Sequence, residues 1–254
     1  MDKKIIQWKQ KYDTFDEDNT NFREINNMNK ELKKTVNILN STDSYIESEI
    51  NSMLEILSKE DFIKKEDDYW SLTTKGMISS NLQEIHPLAF SELLLEKVFG
   101  ELSTIDIISV ISCLTSVSVP KKDCILNIEY VNCNNNIKNV LNKIKKKFNK
   151  FYDIELDNRM NNIDNYDLHW NMCELLVKWC NSKTEEECKS VYNEAEYYGI
   201  SIGEFIKAIL KINAIGLELE KVCLILEDLV LYEKCKNIPT MTLKSIATNQ
   251  SLYL

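Results

Sequence analysis

The chain has 254 residues, of which 44% are hydrophobic and 28% charged, so it can form one large or two modest domains with a real core. Only 5 glycines and 3 prolines interrupt it, a scarcity that is typical of helical proteins. The formal charge of -9 excludes a uniformly basic nucleic-acid binder, so any surface that binds phosphate must be local. No apolar run reaches the roughly 18 residues of a membrane-spanning helix, and we expect no membrane contact.

The 8 cysteines are scattered along the chain without a Cys-x-x-Cys pair. Because the Lys-rich N-terminus shows no secretory signal, we interpret them as reduced thiols of an intracellular protein, in the cytoplasm or the nucleus. Several are expected on buried helix faces. A zinc site is the alternative, but the closely spaced ligand pairs of such sites are missing.

Residues 1–43 are predicted to form an N-terminal helical segment. An acidic patch predicts a solvated break, and it consists of Asp13, Asp16, Glu17 and Asp18. Short helices are expected on either side, at Lys3–Tyr12 and Phe22–Leu39. The second has apolar residues along one face, namely Phe22, Ile25, Met28, Leu32, Val36 and Leu39.

Residues 44–86 predict a winged-helix-like element, in which a helix, a small hairpin and a second helix follow one another. The first helix covers Tyr45–Leu57, and the second begins at Thr74. The hairpin strands, Asp61–Ile63 and Tyr69–Leu72, flank the polar turn Lys64–Asp68. Winged helices can bind nucleic acid, but Asp67 and Asp68 at the hairpin tip would repel phosphate. The alternative is that the element only packs within a larger core.

Residues 87–254 are predicted to form a helical bundle. One apolar helix is expected from Leu93 to Leu102, and the next is capped by Ser103 and Asp106. This second helix is apolar nearly all round and should be central and buried, with Ile105, Ile107, Ile108, Val110, Ile111 and Leu114.

A lysine-rich helix is predicted after the Asn-rich loop Pro120–Asn136. Its apolar face holds Ile137, Val140, Leu141, Ile144, Phe148 and Phe151. Its lysines are Lys138, Lys143, Lys145, Lys146, Lys147 and Lys150. Such a charge run is usually a solvated face, and a contact with an RNA backbone or a protein partner is the alternative.

Two further helices are expected before the C-terminal segment. The first carries Leu168, Met172, Leu175, Leu176 and Trp179, with the tryptophan in the core. The second is capped by Thr184 and Glu187 and ends at Gly199.

The segment from Ser201 to Leu254 is the one around which we expect the bundle to be organised. Ser201 can cap a helix while Glu204 reaches back to the Ser201 amide. Apolar residues then recur at helical spacing, namely Phe205, Ile206, Ile209, Ile212, Leu219, Val222, Cys223, Leu226 and Leu229. Lys207 and Lys211 lie one turn apart on another face, and the apolar terminus Ser251–Leu254 is expected to be packed.

Two parts of the chain resemble a known family, the C-terminal (DSHCT) domain of the exosome-associated DExH RNA helicases of the superkiller and nuclear exosome-cofactor type. The first part comprises Gly203-Glu204-Phe205-Ile206-Lys207, Lys211 and the closing Ser-Leu-Tyr-Leu. The second comprises Phe99-Gly100-Glu101-Leu102-Ser103 and Ile111-Ser112-Cys113. Leu210 departs from the family, which has an arginine there, and so does Gly216 in mid-helix.

The resemblance implies a mainly α fold, with the winged-helix-like element and its small β-hairpin followed by a multi-helix, ratchet-type bundle. It also implies an accessory domain that braces the helicase motor and contacts the translocating strand through the helix starting near Ile202. Lys207 and Lys211 would then contact RNA phosphate or stack on a base. The implied partners are single-stranded RNA, helicase motor domains in cis or in trans, and the RNA-decay machinery.

No catalytic or metal-binding residue is predicted in this chain. It has no G-x-x-x-x-G-K-[ST] phosphate loop and no Asp-Glu-x-His run, so ATP and magnesium would bind separate motor domains. His86 and His169 are expected to be surface or packing residues.

Two other functions remain as alternatives to the helicase accessory domain. One is a motor-less helical scaffold or protein-interaction module that retains the fold. The other is a winged-helix DNA-binding regulator, which the acidic hairpin and the net charge disfavour.

Overall fold

Helices dominate the computed structural model of the chain, which describes residues 11–67, 69–158 and 166–244. The β structure of these residues is a two-stranded antiparallel hairpin, so the predicted mainly α fold with a small hairpin is confirmed. The chain divides into two compact units, Met1–Glu55 and Ile56–Leu254. The predicted domain boundaries after residues 43 and 86 stay predictions.

Most of the first unit's described residues form α1 (Phe15–Lys59), a single helix of 45 residues. Three acids of the predicted break lie in its first turn, where the helix dipole favours negative charge, so the break was wrongly placed there. The separate helices predicted at Phe22–Leu39 and Tyr45–Leu57 are parts of this one helix. The predicted helix Lys3–Tyr12 falls almost wholly outside the described residues.

The predicted hairpin is confirmed as strands β1 (Ile63–Glu66) and β2 (Tyr69–Leu72), with Ile63 opposite Leu72. Its turn is shorter than predicted because the residues from Lys64 to Glu66 belong to β1. The short helix α2 (Thr74–Ser79) follows, and Thr73 caps it by accepting a hydrogen bond from the Gly76 amide at 3.1 Å. That this arrangement is a winged helix stays a prediction.

The next helix, α3 (Pro87–Leu95), begins and ends earlier in the chain than the predicted Leu93–Leu102. It begins after His86, whose Nδ1 accepts a hydrogen bond from the Ala89 amide at 3.2 Å. The expectation that it continues to Leu102 is wrong, because Lys97 adopts a left-handed conformation (φ 52°) that a continuing helix does not allow.

The central position predicted for α4 (Thr104–Ser112) agrees with the packing. Its capping box is present: the Ser103 hydroxyl accepts from the Asp106 amide at 3.2 Å, and the Asp106 carboxylate accepts from the Ser103 amide at 3.0 Å. Four apolar side chains of α4 are at most 1% exposed, namely Ile107, Ile108, Val110 and Ile111. The helix packs against four helices of the second half of the chain.

Those four helices lie among the six that complete the bundle. In chain order the six are α5 (Asn135–Asp157), α6 (Asn171–Asn181), α7 (Glu185–Tyr197), α8 (Ile202–Ile225), α9 (Leu229–Lys236) and α10 (Ile238–Thr242). Helix α4 contacts α5, α6, α8 and α10. The predicted apolar face of α5 is buried, and Trp179 lies in the core with its indole N–H donating to the Thr242 carbonyl at 2.9 Å.

Helix α8 ends earlier than predicted. Glu227 adopts a left-handed conformation (φ 55°), so Leu229, expected as the last apolar residue of α8, instead begins α9 and is 67% exposed. Gly216 lies where α10 approaches, since a Cβ at this position would lie 3.1 Å from Ile238 Cδ1. The apolar terminus Ser251–Leu254 falls outside the described residues.

The 8 cysteines all lie within the described residues and carry free thiols. Five are buried, as predicted for apolar helix faces, namely Cys113, Cys173, Cys188, Cys223 and Cys235. None of the helices described in the structure is long and apolar enough to span a bilayer.

Candidate nucleic-acid interface

The first half of α8 presents Lys207 and Lys211 away from the core. Ser201 caps the helix by accepting a hydrogen bond from the Glu204 amide at 3.3 Å. The apolar side of this half is buried through Phe205, Ile206, Ala208, Ile209 and Ile212. Because the two lysines lie off that side, Lys207 keeps 72% of its side chain exposed and Lys211 is half-buried.

The Glu204 carboxylate does not complete the predicted capping box. Its Oε2 accepts from the Ser118 amide at 3.3 Å, and its Oε1 lies 3.7 Å from Lys207 Nζ. The acid therefore ties α8 to the segment that follows α4. An exposed ion pair of this kind contributes about 0–1 kcal/mol, so the pair leaves Lys207 able to bind another anion.

Two cavities adjoin Lys211, and together we call them the α8 cleft. The smaller, of about 90 Å³, is lined by Thr115, Ser116, Val117, Glu204, Lys207, Ala208 and Lys211. The larger, of about 220 Å³, is lined by Gln83, Glu84, Ile85, His86, Pro87, Leu114, Ser116, Phe148, Asp167 and Lys211. Ser116 and Lys211 line both cavities, so they lie where the two meet.

The charge of the α8 cleft is mixed. Lys207 and Lys211 are its cations, while Glu84, Asp167 and Glu204 contribute carboxylates. A strand of phosphates would therefore have to follow the lysine side of the cleft. Leu210, one residue before Lys211, is 42% exposed and lines neither cavity.

The lysine-rich face of α5 is partly structural. Lys147 Nζ lies 2.8 Å from Glu92 Oε2 and 2.6 Å from Glu96 Oε1. Lys150 Nζ lies 2.8 Å from Glu92 Oε1 and 2.6 Å from Glu60 Oε2. We call these residues and Lys75, which also pairs with Glu92, the Glu92 cluster.

The Glu92 cluster changes the interpretation of the charge run. Burial lowers the pKa of Lys147 and of Lys150, but hydrogen bonds to the carboxylates outweigh it and raise both pKa values above the ordinary range. Such paired lysines are poor candidates for phosphate contacts. The remaining exposed lysines of this face are Lys143, Lys145 and Lys146.

The two histidines occupy different settings. The His86 ring packs among the rings of Phe148, Phe151 and Tyr166, with centroids 4.6 to 6.0 Å apart, as expected for a packing residue. The His169 amide donates to the Cys113 carbonyl at 2.8 Å. In residues 11–67, 69–158 and 166–244, no three His, Cys, Asp or Glu side chains are placed to hold a metal ion.

Sequence reasoning proposed the two lysines but did not indicate the cleft beside them. Ser116, Gln83 and Asp167 reach it from three distant segments, and no local pattern marks them. The position of Glu204 on the Ser118 amide likewise depends on a contact 86 residues away.

Comparison with known proteins yields one family. The model of the DSHCT (NUC185) domain matches residues 70–247, a range that contains most of β2, most of the bundle and all of α8. No curated protein matches the chain.

Proposed function

Since the chain belongs to the DSHCT (NUC185) domain family, the C-terminal domain of superkiller-type RNA helicases, we propose that it is the accessory domain of such a helicase. In this proposal the bundle braces the motor, and the first half of α8 contacts the translocating RNA strand. ATP and magnesium are bound by separate motor domains. The partners are single-stranded RNA, those motor domains, and the RNA-decay machinery that they serve.

The family match carries this proposal, because it covers α8 from its first residue to its last. Two features of the helix support the RNA contact. Lys207 is exposed and only weakly paired, and Lys211 lines a cleft that could hold part of a nucleotide. Proteins that hold single strands without sequence preference use a positively charged groove along the backbone, and in this proposal the two lysines supply that charge.

The Glu92 cluster supports the bracing role. It joins Glu60, which directly follows α1, to α2, α3 and α5 through lysines that each contact at least two acceptors. A domain so cross-linked by partly buried ion pairs is rigid at that place. Rigidity is what a brace requires, since it must keep α8 in position while the strand moves.

The RNA contact is tested by binding of the whole chain to a fluorescent single-stranded RNA over a range of salt concentrations. We expect Lys207→Gln/Lys211→Gln to bind more weakly than wild type. Each lost phosphate contact should reduce the slope of log K against log salt by about 0.7, so two lost contacts should reduce it by about 1.4.

A matched control is available elsewhere on the bundle. Lys221 on α8 and Lys236 on α9 are both exposed, and Lys221→Gln/Lys236→Gln changes the net charge equally. We expect this control to keep the wild-type slope. If both double variants lose the same slope, general electrostatics and not the α8 cleft accounts for binding, and the assignment of Lys207 and Lys211 is wrong.

The motor-less scaffold is the second candidate, and one observation favours it. Helix α1 carries large exposed apolar side chains, which is the surface that a protein partner would cover. Folded wild type that binds no RNA at low salt would remove autonomous RNA binding. Such a result would leave a brace that needs its motor, or the scaffold.

A further inference from the structure

Two carboxylates of α8 hold the loops that face this helix across the α8 cleft. The Glu218 carboxylate accepts hydrogen bonds from the Gln83 amide at 3.0 Å and from the Glu84 amide at 3.1 Å. Glu204, at the start of the helix, accepts from the Ser118 amide at 3.3 Å. The loop after α2 and the loop after α4 are therefore both attached to α8 by side chains of α8 itself.

The two carboxylates border the two cavities of the α8 cleft. Gln83 and Glu84 line the larger cavity, so Glu218 holds one of its walls. Glu204 lines the smaller cavity, beside the residues just before Ser118. Each cavity thus has a wall whose position depends on a carboxylate of α8.

The two acids and the two lysines share one face of α8. Positions 204, 207, 211 and 218 are separated by three, four and seven residues, which places them within about 60° of one another around the helix. The lysines lie between the acids, and about 21 Å of helix separates Glu204 from Glu218. Both ends of the face that carries the lysines are therefore fixed to the loops opposite.

On the basis of the RNA contact proposed above, we propose that Glu204 and Glu218 are positioning residues. They fix the facing loops at the distance from α8 at which Lys207 and Lys211 bind RNA. An acid that only repels phosphate weakens binding, so its removal strengthens binding. Removal of a positioning acid has the opposite effect, and the sign of the change distinguishes the two roles.

Amide hydrogen exchange of the whole chain tests the attachment without RNA. We expect Glu218→Ala to speed exchange of the Gln83 and Glu84 amides at least about tenfold, because alanine offers them no acceptor. The Ser118 amide should keep its wild-type rate. Glu204→Ala should show the reverse pattern, with faster exchange at Ser118 alone among these three amides.

Binding of the fluorescent single-stranded RNA tests the positioning role. Glu218→Ala should bind at least about threefold more weakly than wild type, because the released loop completes the cleft for only part of the time. The slope of log K against log salt should stay at the wild-type value, since no lysine is lost. A reduced slope is expected of Lys207→Gln/Lys211→Gln instead.

Glu220→Ala is the control on the same helix. Glu220 lies on the opposite side of α8 from Glu218 and lines neither cavity. The variant makes the same change in charge and in side-chain size. We expect it to bind RNA at least as tightly as wild type and to leave the three amides unchanged. Thermal melting followed by circular dichroism shows that each variant is folded at the temperature of the measurement.

Three results would overturn the proposal in different ways. Unchanged exchange of the Gln83 and Glu84 amides in Glu218→Ala would show that the carboxylate does not hold the loop, whether or not the chain binds RNA. Faster exchange with RNA affinity equal to or above that of wild type would show that binding does not need the attached loop. A wild-type chain that binds no RNA would remove the proposed RNA contact and the positioning role with it, while the exchange rates still report the attachment.

Discussion

Replacement of Gly76 by alanine is expected to lower the melting temperature of the chain by about 4–8 °C. A Cβ at this position would lie 2.1 Å from the carbonyl oxygen of Phe62 and 3.1 Å from Leu72 Cδ2. The first distance is shorter than any tolerable contact, and the obstructing atom belongs to the backbone. Either α2 or the start of the hairpin must therefore move.

Movement is costly here because the Phe62 carbonyl is already engaged. It accepts hydrogen bonds from the Thr73 amide and the Thr73 hydroxyl, both at 3.1 Å. Phe62 itself is 1% exposed and lies in the core. Overpacking at such a place costs about 3 kcal/mol, which exceeds the roughly 1 kcal/mol that alanine gains over glycine within a helix.

Gly203→Ala is the matched control. A Cβ at position 203 would meet nothing closer than Ser201 Oγ at 3.9 Å, so the alanine has room. We expect its melting temperature to equal or exceed that of the wild type, since only helix propensity changes. Equal melting temperatures for wild type and Gly76→Ala, measured by circular dichroism, would contradict the close packing of α2 on the hairpin.

The sequence predicted those features of α8 that are set by neighbouring residues. The cap at Ser201 and the apolar face from Phe205 to Cys223 follow from local rules, and both are present. The predicted end of the helix was wrong, because the chain turns at Glu227 without the glycine or proline that usually marks such a turn in a sequence. The hydrogen-bond partner predicted for the Glu204 carboxylate was also wrong. The carboxylate accepts from the distant Ser118 amide and not from the nearby Ser201 amide.

The lysines of α5 show that local sequence patterns also fail to predict the partners of charged side chains. Periodicity placed Lys147 and Lys150 off the buried face, but it could not show that acids 51 to 90 residues earlier in the chain lie beside them. A run of like charge looks the same in the sequence whether its partner is solvent, RNA or the protein itself. Only tertiary packing decides among these possibilities, and here it assigns the two lysines to the protein.

The Glu92 cluster leads to a second large effect. We expect Glu92→Gln to reduce the free energy of unfolding at neutral pH by about 3 kcal/mol, because it removes the central anion of a partly buried group of cations. Glu92 is only 10% exposed at its side chain, and its oxygens lie 2.6 Å from Lys75 Nζ and 2.8 Å from the Nζ atoms of Lys147 and Lys150. Urea unfolding measures the loss.

The matched control for this variant is Glu96→Gln. Glu96 contacts Lys147 alone among these lysines, and its side chain is 50% exposed. Because solvent screens such a pair, the cost should stay below about 1 kcal/mol. Equal losses in the two variants would show that the position of Glu92 within the cluster has no special effect.

The pH dependence of stability distinguishes the effect of the Glu92 charge from the effect of its side-chain packing. Burial raises the pKa of this carboxyl, but hydrogen bonds from Lys147, Lys150 and Lys75 outweigh burial and lower the pKa from 4.5 to about 2. Since the folded state has the lower pKa, the stabilisation by Glu92 is complete above its unfolded pKa and is lost as the pH falls toward about 2. The difference in unfolding free energy between wild type and Glu92→Gln should therefore be constant near neutral pH and shrink below pH 4.5. A difference that stays constant down to pH 2 would mean that the glutamine acts through packing and not through the lost charge.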